Sequence, residues 1–404
     1  MDERGSDRRR DARTILALFV GAVALRPQLA GIGPLVGSIQ DDLDMSHAVA
    51  GLLATLPVLC FAIMAPFAGA LSSRFGARRT VAAGLVLLAV VGVARAVTPS
   101  VPALLVLTVG VGLAMGMAQT MMPIAVKERA AHRPALATGV YATGLNLGST
   151  VGAAIAVPIA QIVWGWRLSM LVFAVTAGVG ALAWLVGLRA EERPVERVRL
   201  PLLPRMPLSS GTIWLLVLLF GLLGTVYHGL GTWLPDAAGE RGWSEDEAGV
   251  LTAVFNAALL PAGLVVGWLG DRTGQRRWLL VVGAAIMLTG TVLLAATPGG
   301  LWPGTVLAGF GDGALFALFM TLPLDIGRTP AQVGSVVALM LGAGYLLSAV
   351  NPFLLGAIRD ATGGFEAPFW TVVGAAAIIL ALVPLLGRER LRRARPAGRA
   401  ETGG

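Results

Sequence analysis

The sequence predicts an all-α integral membrane protein of twelve transmembrane helices, arranged as two pseudo-symmetric six-helix bundles. Three observations predict it. Of 404 residues, 56% are hydrophobic and 13% charged, with a mean hydropathy of +0.76, against roughly 45–50% apolar and about 25% charged in soluble domains. The chain divides at charged and Pro/Gly clusters into twelve stretches near the ~20 residues that cross a bilayer as helix. The first half also recurs in the second at a shift of 198 residues. Stretches of this length argue for helices over the alternating decads of a barrel.

The first stretch, 13 to 38, follows Arg8, Arg9 and Arg10 as a signal peptide would. No small-residue cleavage site follows it, and it runs on to Asp41, Asp42 and Asp44, so it is expected to be a retained helix. The next five are 48 to 72, 80 to 97, 101 to 126, 135 to 162 and 167 to 188. Pro194, Pro201, Pro204 and Pro207, with mixed charge, then mark a linker over 189–210. The last six are 211 to 236, 246 to 270, 278 to 297, 301 to 326, 331 to 358 and 366 to 387. The expected organisation is a tail (1–13), a bundle (14–188), the linker, a second bundle (211–387) and a basic tail (388–404).

The net charge of +8 and pI near 10.9 suggest nucleic-acid binding until the basic residues are placed. Of the 31, 26 fall in the tails and even-numbered connectors, four (Arg95, Arg167, Arg241, Arg359) toward the other side, and Arg26 within a span. By the positive-inside rule, both termini and the linker are cytoplasmic and the charge is a topology signal. Cys60 is the only cysteine, so an intrachain disulfide and a cysteine metal cluster are excluded.

The repeat pairs Ser46, Gly51, Gly69, Arg74, Gly76, Arg78 and Arg79 with Ser244, Gly249, Gly267, Arg272, Gly274, Arg276 and Arg277. Gly267, Asp271, Arg272, Gly274, Arg276 and Arg277 form a Gly-x-x-x-Asp-Arg-x-Gly-x-Arg-Arg string that resembles the signature cytoplasmic loop of the major facilitator superfamily. The first-half copy has Ser73 at the acidic position. The resemblance implies that Asp271, Arg272 and Arg277, with Ser73 and Arg74, gate the cytoplasmic face. Asp271 is then expected near a helix start around Ala135, where an anion is stabilised by the dipole, and Ser73 gives a weaker, uncharged latch. Leu25-Arg26-Pro27 through Gly33-Pro34 and Gly51 to Val58 are similar to the cyanate permease and nitroimidazole transporter family (CynX/NimT), over about the first 80 residues. This implies a single-chain secondary transporter of a small anion or small nitro-heteroaromatic in the plasma membrane, acting as a monomer.

In that fold the first, fourth, seventh and tenth helices line a central cavity, which gives weight to Arg26, Gln28, Gln119, Tyr227, His228 and Asp312. At ~1.5 Å per residue, Arg26 and Asp312 lie near the midplane. A charge there is costly, at least ~2.5–3.5 kcal/mol, so Arg26 is expected to face water, a counter-ion or a ligand. Pro27 removes a backbone donor and biases Arg26 away from helical geometry, which predicts a bend. A guanidinium fork suits a flat small anion. The alternative is a structural ion pair with Asp312. Asp312 can titrate where Arg26 cannot, so it is a candidate for proton coupling, as is His228. Gln28, Gln119, Tyr227 and Asn256 offer hydrogen bonds, with Trp233 as a possible wall. Asn146, Tyr141, Tyr345 and Asn351 fall on the flanking fifth and eleventh helices. Arg95, near the end of the third, is expected to snorkel to headgroups. Gly144, Gly148 and Gly152 predict close helix packing.

Gly309-Phe310-Gly311-Asp312 matches an intramembrane aspartyl protease string but lacks the partner Tyr-Asp pair. There is no phosphate-binding loop and no His-Glu-x-x-His zinc site, so no enzyme, cofactor or metal is expected. The expected function is proton-coupled uptake of a small solute by alternating access. Export by antiport and a non-transporting ligand sensor are the alternatives.

Overall fold

A computed structural model of the chain describes residues 3–64, 67, 71, 74–129, 134–188, 208, 210–273, 276–326, 330–387 and 390. The first span is three helical pieces: α1 (Glu3–Leu25), α2 (Pro27–Ala30) and α3 (Ile32–Leu43). It ends where Asp44 turns left-handed at φ 51°. The rest of the first half is α4 (His47–Met64), α5 (Ala77–Val97), α6 (Val101–Arg129), α7 (Pro134–Ala160) and α8 (Trp166–Gly187). The second half is α9 (Gly211–Glu240), α10 (Glu245–Thr273), α11 (Arg276–Ala296), α12 (Leu301–Ile326), α13 (Pro330–Ala349), α14 (Asn351–Thr362) and α15 (Glu366–Leu382). Eleven spans among the described residues are long and apolar enough to cross a membrane. The 29-residue α10, with Glu245, Asp246 and Glu247 in its first turn, takes the eighth position and completes the expected twelve.

The two halves are packed alike. α5 lies against α6 and α8, α4 against α6, and α1 against α7; in the second half α11 lies against α12 and α15, α10 against α12, and α9 against α13. The buried core running from Ile213 to Leu386 takes only Val36 and Ala50 from the first half. The first half buries its own clusters between Ala17 and Leu188. α5 and α8 expose Val86, Val90, Val97, Val175, Val179 and Leu182, which marks them as lipid-facing, since a bilayer accepts apolar surface that water would not.

The first span is held to α7 by the predicted glycines. β-Carbons at Gly144 and Gly148 would collide with the carbonyl oxygens of Phe19 and Val23, and one at Gly152 would stand 2.7 Å from Pro27 Cα. Only glycine lets the two backbones come this close.

The halves meet through α3 with α9, α4 with α13 and α14, and α7 with α10. Phe353 N–H donates to Thr55 Oγ1 at 3.2 Å part-way along α4, and a cluster of polar contacts lies at the end of the bundle away from the termini. Gln161 Nε2 donates to Asp246 Oδ1 at 2.9 Å. Asp360, at the end of α14, accepts from the backbone N–H groups of His47 (3.2 Å) and Ala48 (2.9 Å), which are free donors at the start of α4. His47 Nδ1 stands 2.9 Å from Asp360 Oδ1 and Nε2 stands 3.4 Å from Asp236 Oδ2. The His47 ring clusters with Trp233 and Phe365, 5.6 and 5.8 Å away, which are themselves 5.5 Å apart. This end is closed.

Candidate functional site: a cavity between the halves

Arg26 sits at the break between α1 and α2. Pro27 has no N–H to continue the helix, as expected, but Arg26 itself stays in the right-handed helical region (φ −88°, ψ −31°). The interruption is a bend within a helical path, and the Arg26 carbonyl accepts from Leu29 and Ala30 N–H at 3.1 and 3.0 Å. The guanidinium is half-buried, and its Nε is buried without a partner. No ion pair joins it to Asp312, so the structural-pair alternative is not what the fold builds.

Two spaces meet at Arg26. One, with about 570 Å³ of empty volume, is bordered by Arg26, Asn146, Asp312 and the rings of Phe61, Phe220 and Tyr345. The other, about 390 Å³ and nearer the closed end, is bordered by Arg26, Ser149, Gly231, Thr232, Thr252 and Asn256. Tyr227 and His228 border both. Small-ligand sites are mostly apolar with a few polar groups to fix orientation, and the lining of these spaces has that character. α9 places Tyr227 and His228 on the same wall because it runs unbroken past the midplane. Tyr227 Oη donates to Asn256 Oδ1 at 3.1 Å, and Asn256 Nδ2 donates to the Thr252 carbonyl at 2.9 Å. This chain ties α9 to α10. Asp312 on α12 is 2% exposed, and its Oδ1 has no hydrogen-bond partner.

Of the expected site residues, the structure brings Arg26, Tyr227, His228, Asn256 and Asp312 together, with Asn146 and Tyr345. Three fall elsewhere. Gln28 is 0% exposed and points away from the cavity: its Nε2 donates to the Met170 carbonyl at 3.3 Å and its Oε1 accepts from Arg95 at 2.8 Å. Trp233 is fully buried near the closed end, where its Nε1 donates to the Pro352 carbonyl at 2.8 Å. Gln119 borders neither space, and its Oε1 is buried without a partner. Asn351 also leaves the site, donating to the Thr225 carbonyl at 2.8 Å.

Arg95 corrects a further expectation. It does not snorkel: it is 1% exposed, and its Nη2 donates to both the carbonyl (3.0 Å) and Oε1 (2.8 Å) of Gln28. The helix break freed backbone acceptors in the membrane, and a guanidinium one helix away takes one of them. Of the expected gate, Ser73 lies outside the described residues, as does the side chain of Asp271. Arg74 and Arg277 are exposed, Arg74 lying 5.3 Å over the Phe75 ring. Arg276 pairs with Asp325 at 2.7 Å, tying the start of α11 to the end of α12. The His47, Asp236 and Asp360 cluster was missed, because no sequence period relates residues 313 positions apart.

Two six-helix halves, packed together at one end with a cavity between them that Arg26 and Asp312 border, define a transporter of small solutes. The chain belongs to the Major Facilitator Superfamily, whose family model matches residues 18–244 and 229–403, and within it to the group of cyanate and nitroimidazole transporters. It is 29% identical to the 2-nitroimidazole transporter of Escherichia coli (strain K12), over 92% of this chain and 94% of that protein. It is 30% identical to the cyanate transport protein CynX of the same organism, over 87% and 91%. Its fold is similar to that of a bacterial homolog of the human lysosomal transporter Spinster in its inward-facing, unoccupied conformation. The TM-score is 0.79 at 18% identity, covering 96% of this chain and 99% of that one. The chain is a membrane transporter and not an enzyme.

Proposed function

We propose that this chain is a secondary active transporter that moves a small anion or small polar nitro-heteroaromatic solute by alternating access, with Arg26 holding the anionic or nitro end. One observation carries the reading: a guanidinium at a helix break borders the cavity between the halves, with a buried Nε that no protein group satisfies. Such a group costs energy until a ligand pairs with it. The relatives that transport cyanate and 2-nitroimidazole support the same solute chemistry.

With the termini cytoplasmic in the plasma membrane, the closed end is the outer one and the cavity belongs to an inward-facing state. The halves 14–188 and 211–387, joined by the 189–210 linker, rock about the site, and Asp271 with Arg272 and Arg277 latches the cytoplasmic face in the opposite state. Proton-coupled uptake is the direction we favour, with Asp312 as the proton carrier and His228 as the second candidate. The test is flux in proteoliposomes, with and without an imposed pH gradient, across small anions and nitroazoles. Asp312→Asn is expected to retain solute exchange and to lose pH-driven accumulation. Intact accumulation would remove Asp312 from that role, and unchanged flux in Arg26→Ala would remove the site.

A further inference from the structure

The larger cavity has a second pole. Of the buried side-chain oxygens that lack a partner among the described residues, Asp312 Oδ1 is the one whose residue borders the larger space with Arg26, and Thr252 borders the smaller. A buried acceptor without a donor is costly, and Asp312 shares a cavity with a guanidinium that wants an acceptor. The same cavity is also lined by aromatic rings. Phe61 meets Tyr345 edge-on at 6.2 Å, Tyr345 meets Phe220 at 5.5 Å, and Phe220 meets Phe316 at 6.1 Å. A three-atom inorganic anion has about the volume of one or two waters, ~30 Å³ each. It would leave all of these rings unused.

We infer that Asp312 selects the solute: it accepts the N–H end of a flat aromatic ring whose acceptor end lies on Arg26, so a donor and an acceptor at opposite ends of the ring are both required. This rests on the Arg26 reading and adds a requirement to it.

Two isomers separate donor chemistry from size. 4-Methyl-2-nitroimidazole keeps its ring N–H, and 1-methyl-2-nitroimidazole, of the same volume and with the same nitro group, has none. Binding of each to the purified full-length transporter is measured by isothermal titration. The wild type is expected to bind the N–H isomer at least about tenfold more tightly, the effect of one hydrogen bond to a charged group. Asp312→Ala is expected to erase that preference by weakening the N–H isomer, leaving the N-methyl isomer within about twofold. Equal affinity of the two isomers for the wild type overturns the inference without needing any variant, as does the absence of binding by either. Arg26→Gln distinguishes the two readings. If it abolishes binding of both isomers while the wild type does not discriminate between them, Arg26 stands and the Asp312 pole falls. If it changes neither affinity, the Arg26 site falls with it.

Discussion

The two halves solve one packing problem in opposite ways. In the first half the first span breaks, at Arg26-Pro27, and the unbroken fifth span (α7) brings Gly144, Gly148 and Gly152 against it. In the second half the seventh span, the repeat partner of the first, is the unbroken 30-residue α9, and it carries the close-packing glycines: Gly221 faces Leu347, Gly224 faces Ser348 and Gly229 faces Asn351. The break has moved to the eleventh span, between α13 and α14, where Pro352 follows Asn351. Breaking and glycine-bearing helices have exchanged places. The repeat conserves the pairing of the two helices and not which of them bends.

What differs is the fate of the polar groups at each break. Around Asn351 they are consumed: Asn351 donates to the Thr225 carbonyl, and the Pro352 carbonyl accepts from Trp233. Around Pro27 the Gln28 carbonyl is taken by Arg95, while the guanidinium of Arg26 is left facing the cavity. A break sealed internally is scaffold, and a break with a free charge is a site. The largest test of this contrast is Arg26→Ala against Asn351→Ala. Arg26→Ala is expected to lower solute flux in proteoliposomes by 100-fold or more, about 2.7 kcal/mol, with little effect on thermal unfolding in detergent. Asn351→Ala removes the side-chain bond to the Thr225 carbonyl and is expected to do the reverse, costing about 0.5–1.5 kcal/mol of stability with transport per folded molecule largely kept. Equal effects of the two on flux would end the distinction.

The glycine faces give the next effect. A methyl at Gly148 meets the Val23 backbone carbonyl, which cannot move without shifting α1, whereas one at Gly221 meets the Leu347 side chain, which can change rotamer. Gly148→Ala is therefore expected to cost about 1–3 kcal/mol and Gly221→Ala less, read as the fall in detergent unfolding temperature. The reverse order would mean that the backbones are not as close as the packing indicates.

Arg95 joins the two regions. Its clamp on Gln28 fixes the chain two residues beyond Arg26. Arg95→Gln, which removes the charge and shortens the reach, is expected to raise the KM for solute about tenfold with a smaller change in maximal flux, the signature of a misplaced ligand group. A fall in maximal flux alone would assign Arg95 to packing.

Hydropathy made the twelve spans legible, the repeat at a shift of 198 residues the paired halves, and the missing N–H of Pro27 the bend, because each is written along the chain. The depth of Arg26 and Asp312 followed from counting residues. The direction a side chain takes around its helix did not. Gln28 and Arg26 are two residues apart, and about 100° per residue puts them on opposite sides of a helix, so one enters the cavity and the other is buried against α8. Arg95 was misread for the same reason. A polar residue near a span end looks alike whether it turns to lipid headgroups or inward to a freed carbonyl. Which carbonyl is free depends on a break 67 residues earlier.

The smallest effect lies at the closed end, where the repeat again diverges. Ser46 and Ser244 align, and each offers its hydroxyl oxygen to the N–H three residues on, at Val49 and Glu247. In the second half Glu247 returns the bond to Ser244 N–H at 3.1 Å, a capping box complete within α10. The first half has Val49 there, and the acid comes from the other half: Asp360 caps α4 and meets His47, with Asp236 on the far side of the ring and the Glu240 pair with Arg359 beside them. Ser46 caps α4 in either state, but the Asp360 part of the cap exists only while this end is shut. Asp360→Asn keeps the size of the side chain but removes its charge, which weakens its hold on the His47 and Ala48 N–H groups, so the closed end is expected to open more often. A partly exposed contact of this kind contributes about 0.5–1 kcal/mol, so the open fraction should rise only about two- to fivefold. Spin labels on the exposed Val163 of the first half and Glu366 of the second, read by pulsed dipolar distance measurements, give that fraction. An unchanged distance distribution in Asp360→Asn would mean that this cap does not hold the end shut.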